Sequence, residues 1–160
     1  MSLCAAVHKE LHVFADASDV AIAAAAYLRL SNGDGQCQDV SFVMGKSKLA
    51  PIHATTIPRL ELCAAVLAVE IFEIIRDEID IELNSVSFYS DSKVVLGYIR
   101  NETKRFYVYV SNRVERIRIS TMPDQWRYVR TDLNRQTMPR ASFGADLDGT
   151  TWLQVRVPER

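Results

Sequence analysis

Residues 56–65 read Thr56-Ile57-Pro58-Arg59-Leu60-Glu61-Leu62-Cys63-Ala64-Ala65. The stretch indicates the start of a helix, because a threonine hydroxyl can cap free N–H groups and proline suits a first turn. Apolar residues then recur at helical spacing. They are Leu60, Ala64, Leu67, Ala68, Ile71 and Ile75. We therefore predict a long helix from Thr56 to about Ile79.

Glu61 is an acid on the apolar side of this predicted helix. Its neighbours three, four and seven positions on are Ala64, Ala65 and Ala68, so we expect its carboxylate to face a sheet. Two interpretations follow. The acid either favours the positive end of the helix, or binds a cation, because a buried carboxylate is costly without a positive partner.

Two aspartates each follow an apolar strand. Asp16 lies in Phe14-Ala15-Asp16-Ala17-Ser18, and Asp91 lies in Tyr89-Ser90-Asp91-Ser92. Ligands of α/β sheets gather at such strand ends. Carboxylates from three separate elements predict a divalent-metal site, and sites of this kind catalyse phosphoryl chemistry.

The remaining pattern predicts an α/β fold with a mixed sheet. Strands at 11–15, 21–30 and 40–46 form a three-strand antiparallel meander, with a Gly-rich turn at 31–35. A strand at 86–90, helices to about 99 and over 105–119, and a strand at 125–129 follow the long helix. We predict five strands, the later ones parallel, flanked by helices. From residue 131 we expect loop with at most a short helix.

The composition fits one globular domain of 160 residues that is 48% hydrophobic. Without a run of 18 apolar residues, we expect no membrane span. Cys4, Cys37 and Cys63 have no paired spacing, which argues against a disulfide framework and favours an intracellular setting.

Charge is distributed unevenly along the chain. Residues 1–90 carry 6 Lys and Arg against 12 Asp and Glu, whereas residues 91–160 carry 13 against 8. A basic half can be the footprint of nucleic acid binding, although a solvated helix face has the same composition.

Six segments resemble the RNase H-like domain in the pol polyprotein of Pao/BEL LTR retrotransposons, a branch of the ribonuclease H superfamily. The resemblance covers residues 8–134, leaving 1–7 as an N-terminal extension and 135–160 as a divergent tail. Residues 56–65 are its most specific part. The matching segments are 14–18, 41–51, 56–65, 88–92, 111–114 and 125–129.

The resemblance implies a nuclease that cuts the RNA strand of RNA/DNA hybrids with two Mg²⁺ ions, for which Mn²⁺ can substitute. Asp16 would bridge both ions, with Glu61 on one and Asp91 on the other. The partners implied are the hybrid and the reverse transcriptase portion of the same polyprotein, in a cytoplasmic particle or the nucleus. We expect these residues to contact nucleic acid: Ser18, Lys46, Arg100, Lys104, Arg105, Asn112 and Arg113.

The end of the chain departs from the family pattern. Members continue after the last strand with a His and then an Asn-Pro-Ala-Asp type motif, whose Asp is a fourth metal ligand. Here Tyr128 stands where the His belongs, Asn134 aligns with the Asn, and Thr137 stands at the acid. Asp132, Asp146 and Asp148 are the nearby acids that could replace it, although their spacing differs. The loss predicts an impaired enzyme or, alternatively, an inactive binding or structural module.

Overall fold

The computed structural model of the protein describes residues 8–33, 37–50, 56–137, 140–145 and 151–156. The predicted five-stranded mixed sheet is confirmed, with strand order β3-β2-β1-β4-β5. Its strands are β1 His8–Ala17, β2 Ala21–Ser31, β3 Cys37–Leu49, β4 Ser85–Ser90 and β5 Trp126–Tyr128. The helices are α1 Ile57–Glu78, α2 Lys93–Arg100, α3 Val108–Ser120 and α4 Thr131–Thr137. No helix within the described ranges is long and apolar enough to cross a membrane.

The first three strands form the predicted antiparallel meander. Ala15 lies opposite Ala24 in the β1–β2 pair, and Ala24 lies opposite Lys46 in the β2–β3 pair. The alanine-rich run of β2 is therefore a strand, as predicted. Its small side chains let α1 pack closely on the sheet.

One face of the sheet carries the main core. Leu11, Val13 and Ala15 alternate along β1 toward this core, and α1, α2 and α3 cover it. Every residue of the predicted apolar stripe of α1 is buried. Phe88 stacks on Trp126 with ring centroids 4.8 Å apart and fixes β4 beside β5.

The other face carries a row of aromatic side chains. Phe14 stacks on Tyr89 with centroids 4.7 Å apart, and the Tyr27 ring packs edge-on against Phe14 and Phe42. His12 Nδ1 lies 2.8 Å from the Tyr89 hydroxyl oxygen. Among the described elements, α4 contacts β1 and the last strand contacts β3.

Two predicted details of the helix starts are wrong. Thr56 occupies the N-cap position of α1, but its hydroxyl makes no capping bond. Its carbonyl oxygen instead accepts from Arg59 N and Leu60 N, and Pro58 has no N–H to offer a hydroxyl. Helix α3 begins at Val108 rather than Arg105. Asn101 Oδ1 accepts from Lys104 N at 3.0 Å and holds the preceding segment as a turn.

The tail contains more regular structure than predicted. Helix α4 runs across the expected boundary between residues 134 and 135. Strands β6 Arg140–Ala145 and β7 Thr151–Arg156 pair antiparallel where we expected loop. The sequence did not predict this hairpin, because the apolar periodicity of two short strands is weak. The N-terminal extension 1–7 lies outside the described residues.

Candidate metal and nucleic-acid site

Asp16 and Asp91 lie at the same edge of the sheet. Strands β1 and β4 pair in parallel, and Ala15 lies opposite Ser90 in the last rung. Each aspartate is the residue that immediately follows that rung. Parallel register therefore places both acids side by side at the carboxyl ends of neighbouring strands.

Glu61 lies on α1 within electrostatic reach of both aspartates. Burial raises the pKa of the Glu61 carboxyl above its ordinary value, and the negative charges of Asp91 and Asp16 raise it further. The first turn of α1 contains no acid, so Glu61 lies beyond the turn where the helix dipole acts most strongly. The structure therefore places Glu61 within range of the charges of Asp16 and Asp91, and the helix-dipole interpretation loses its support.

The turn that carries Asp91 is held by two serines. Ser90 Oγ accepts from Ser92 N at 3.1 Å, and Ser92 Oγ accepts from Val95 N at 3.2 Å, which caps α2. The Ser92 hydroxyl also bonds the Glu61 carboxylate and lowers its pKa, opposing the effect of burial. The sequence did not predict the contact between Ser92 and Glu61, because that contact depends on how α1 packs.

The chemistry of this donor set fits a hard divalent cation. Carboxylate oxygens are the ligands that Mg²⁺ prefers, and a cation would remove the repulsion that raises the Glu61 pKa. Among the described residues, however, no group of three His, Cys, Asp or Glu side chains is placed so that it could hold a metal ion.

Asn134 ties α4 to the strand that carries Asp16. Its side chain is 0% exposed, and its Nδ2 donates to the Ala15 carbonyl oxygen at 2.9 Å. Its Oδ1 is buried without a hydrogen-bond partner among the described residues. Thr137 follows three residues later, about one helical turn along α4. The family resemblance identified Asn134 as the asparagine of the family motif, but the sequence did not predict its hydrogen bond to the Ala15 carbonyl oxygen.

Of the three acids considered as replacements, Asp132 lies within the part of the chain that the structure describes. Asp132 Oδ2 pairs with Arg130 at 3.1 Å on an exposed part of α4. Asp146 and Asp148 lie outside the described residues.

Three of the predicted nucleic-acid contacts already have partners within the chain. The Ser18 hydroxyl closes the β1–β2 turn by accepting from Ala21 N at 3.2 Å. Arg100 donates to the Trp126 carbonyl oxygen at 2.8 Å. Arg113 lies 3.5 Å from the centre of the Tyr109 ring and donates to the Tyr109 carbonyl oxygen. These bonds fix the position of each side chain and use part of its hydrogen-bonding capacity.

The other predicted contacts are spread over three places. Lys46 lies partly exposed on β3, and Asn112 is exposed on α3. Lys104 and Arg105 lie in the connection between α2 and α3 and line a cavity of about 620 Å³. None of the three acids lines that cavity.

Solved structures with similar folds are RNases H. The chain is 18% identical to RNase H1 from the archaeon Halobacterium salinarum NRC-1, over 80% of this chain and 89% of that one, with a TM-score of 0.48. LC11-RNase H1 in complex with an RNA/DNA hybrid is 16% identical over the same shares, with a TM-score of 0.45. The N-terminal RNase H domain of Rv2228c from Mycobacterium tuberculosis is 10% identical over 81% and 87%, with a TM-score of 0.47.

No curated protein matches the sequence. The model of the Pao retrotransposon-like RNaseH-like domain family matches residues 2–92. This match spans more than half of the chain and includes Asp16, Glu61 and Asp91. The chain therefore belongs to the Pao retrotransposon-like RNaseH-like domain family.

Proposed function

We propose that the protein is a metal-dependent endonuclease that hydrolyses the RNA strand of RNA/DNA hybrids, with turnover reduced by the loss of the fourth acid. The observation that carries this proposal is the position of Asp16 and Asp91 side by side at the ends of β1 and β4, with Glu61 of α1 close enough for both negative charges to raise its pKa. A bound cation would offset the repulsion that Glu61 experiences from the two aspartates.

Each acid has a distinct role in the proposed site. Asp16 is the central ligand, as the family resemblance implies, and its strand lies beside the one that leads to Asp91. Glu61 and Asp91 are the other two ligands of the proposed metal site. Bound Mg²⁺ would supply an activated water and stabilise the leaving oxygen. The Ser92 hydroxyl favours the ionised form of the Glu61 carboxyl, the form that binds a metal, and so opposes the effect of burial.

The substrate class follows from charge and from the family. The second half of the chain carries a net positive charge, so phosphate contacts from Lys and Arg supply affinity that falls with salt. Preference for RNA in one strand must be decided at the 2′-hydroxyl group, through polar side chains near the site. In this proposal the domain works beside the reverse transcriptase of its own polyprotein.

A second candidate function is an inactive hybrid-binding module. Two observations favour it. Among the described side chains, no three acids are placed so that they could hold a metal ion, and by the family resemblance Thr137 stands where the fourth acid is expected. Such a module would bind the hybrid with its basic half and leave it uncut.

Incubation with labelled RNA/DNA hybrid distinguishes the two candidates. The assay compares the unmodified chain with Asp16→Asn, in Mg²⁺ and in Mn²⁺, and follows both binding and cleavage. Cleavage that Asp16→Asn abolishes supports the nuclease. Binding without cleavage in either metal supports the inactive module, and the absence of binding contradicts both.

A further inference from the structure

Tyr128 is an exposed aromatic residue at the edge of the sheet beside Asp91. It ends β5 and lies opposite Ser90, the residue before Asp91. Its side chain is 46% exposed although it lies next to the buried core. The resemblance did not assign it a contact, because the family has a histidine there.

The backbone around Tyr128 is held at both sides. Val129 N donates to the Ser90 carbonyl oxygen at 3.0 Å, which extends the β4–β5 pairing beyond the strand. Arg100 donates to the Trp126 carbonyl oxygen at 2.8 Å. The backbone that carries Tyr128 is therefore fixed before any ligand arrives, which lowers the entropic cost of binding.

Lys93 places a positive charge over this ring. It is the first residue of α2, two residues after Asp91. Its Nζ lies 5.1 Å from the centre of the Tyr128 ring, within the range of a cation–π contact. Within the described part of the chain, no carboxylate forms an ion pair with Lys93.

We propose that Lys93 contacts a backbone phosphate of the bound hybrid next to Asp91, and that Tyr128 is the positioning residue that holds its ammonium group there. A lysine whose charge has no acidic partner, fixed by an aromatic ring beside three acids, is suited to bind an anion. A nucleic acid strand that reaches Asp91 presents phosphates at this edge. The inference rests on the proposed function, since it requires the hybrid to bind at the three acids.

Hybrid binding measured as a function of salt tests this inference. All proteins carry Asp16→Asn, so that the hybrid is not cut, and fluorescence anisotropy gives the Kd at several salt concentrations. Lys93→Gln should weaken binding severalfold and reduce the slope of log Kd against log salt by about one. Lys93→Arg should keep the slope. Lys9→Gln is the control, because Lys9 lies near the opposite end of the same sheet.

Two tyrosine variants test the positioning role. Tyr128→Ala should weaken binding severalfold, whereas Tyr128→Phe should bind like the parent, because the ring face and not the hydroxyl attracts the ammonium. Thermal melts should differ little between the lysine variants, since Lys93 is exposed.

The possible failures are distinguishable. If the parent binds hybrid and Lys93→Gln keeps both its affinity and its salt slope, the Lys93 contact is wrong while the proposed function stands. If Tyr128→Ala binds like the parent, the positioning role is wrong. If the parent itself does not bind hybrid, the proposed function fails, and this inference fails with it.

Discussion

At the scale of single residues, the behaviour of the site depends on the environment of Glu61. Burial and the charges of Asp91 and Asp16 favour its protonated form. A single hydroxyl, that of Ser92, opposes them. The ionised carboxylate that a metal requires is therefore maintained at a cost in stability, which metal binding would relieve.

The raised pKa of Glu61 predicts a pH dependence of stability. The folded chain binds the proton of the Glu61 carboxyl more tightly than the unfolded chain does. The contribution of Glu61 to stability is therefore most favourable below its pKa in the unfolded chain, and it is lost as pH rises through its pKa in the folded chain. Glu61→Gln should therefore raise the Tm at neutral pH without metal. Thermal melts from pH 4 to 8 measure this difference in Tm, and Glu82→Gln, at an exposed position, is the control. A lower Tm for Glu61→Gln at neutral pH would contradict the assigned environment.

An acid introduced at position 137 is expected to increase activity. If it occupies the position of the fourth ligand, Thr137→Asp should raise hybrid cleavage in Mg²⁺ on the order of tenfold, equivalent to roughly 1.4 kcal/mol of barrier. Gln136→Asp adds the same charge one residue away and should not raise the rate. Equal rates for both variants would show that the tail does not align as proposed.

At the scale of elements, two contacts join segments that are distant in the chain. Asn134 connects α4 to β1 across 119 positions, and Glu73 connects α1 to α3 by accepting two hydrogen bonds from Arg116 at 2.8 and 2.6 Å. The first fixes the helix that follows the site, and the second fixes the helix that carries Glu61.

Removal of the Asn134 amide should destabilise the fold. Asn134→Ala leaves the buried Ala15 carbonyl oxygen without this donor, at a cost of about 1–3 kcal/mol. The midpoint of urea unfolding measures the loss. Asn112→Ala, at an exposed position of α3, should change stability by less than about 0.5 kcal/mol. If both variants unfold at the same urea concentration, the contact does not stabilise the protein.

The Glu73–Arg116 pair predicts a second, opposite pH dependence. The hydrogen bonds from Arg116 lower the pKa of Glu73, and the Ser120 hydroxyl lowers it further. The contribution of Glu73 to stability is therefore present above its pKa in the unfolded chain, and it is lost as pH falls through its pKa in the folded chain. Glu73→Gln should lower the free energy of unfolding by about 1 kcal/mol at pH 7, because the pair is partly screened by solvent. Urea unfolding at pH 7 and near pH 3 should show the difference shrinking in acid, and a constant difference would contradict this.

At the scale of the whole molecule, sequence patterns predicted the five-stranded mixed sheet. The turn at 31–35 identified the alanine-rich run as a strand. The sequence placed Asp16 and Asp91 at strand ends, and the parallel pairing of β1 with β4, which the structure shows, puts the two aspartates side by side. The patterns could not predict Ser92 on Glu61 or Asn134 on Ala15, because these bonds arise only after distant elements pack. The patterns also failed to predict that the Thr56 hydroxyl makes no capping bond and that α3 begins at Val108. Both details depend on which groups compete locally for backbone N–H donors, and residue type alone does not determine this.

The central claim is that Asp16, Glu61 and Asp91 form one divalent-metal site. Isothermal titration of Mn²⁺ into the full chain tests it most directly, with Asp16→Asn, Glu61→Gln and Asp91→Asn beside the control Glu82→Gln. We expect the unmodified chain and the control to bind Mn²⁺ equally, and each of the three substitutions to weaken binding about tenfold or more. Equal Mn²⁺ affinity in the unmodified chain and in Asp16→Asn, or no binding by the unmodified chain, would contradict it.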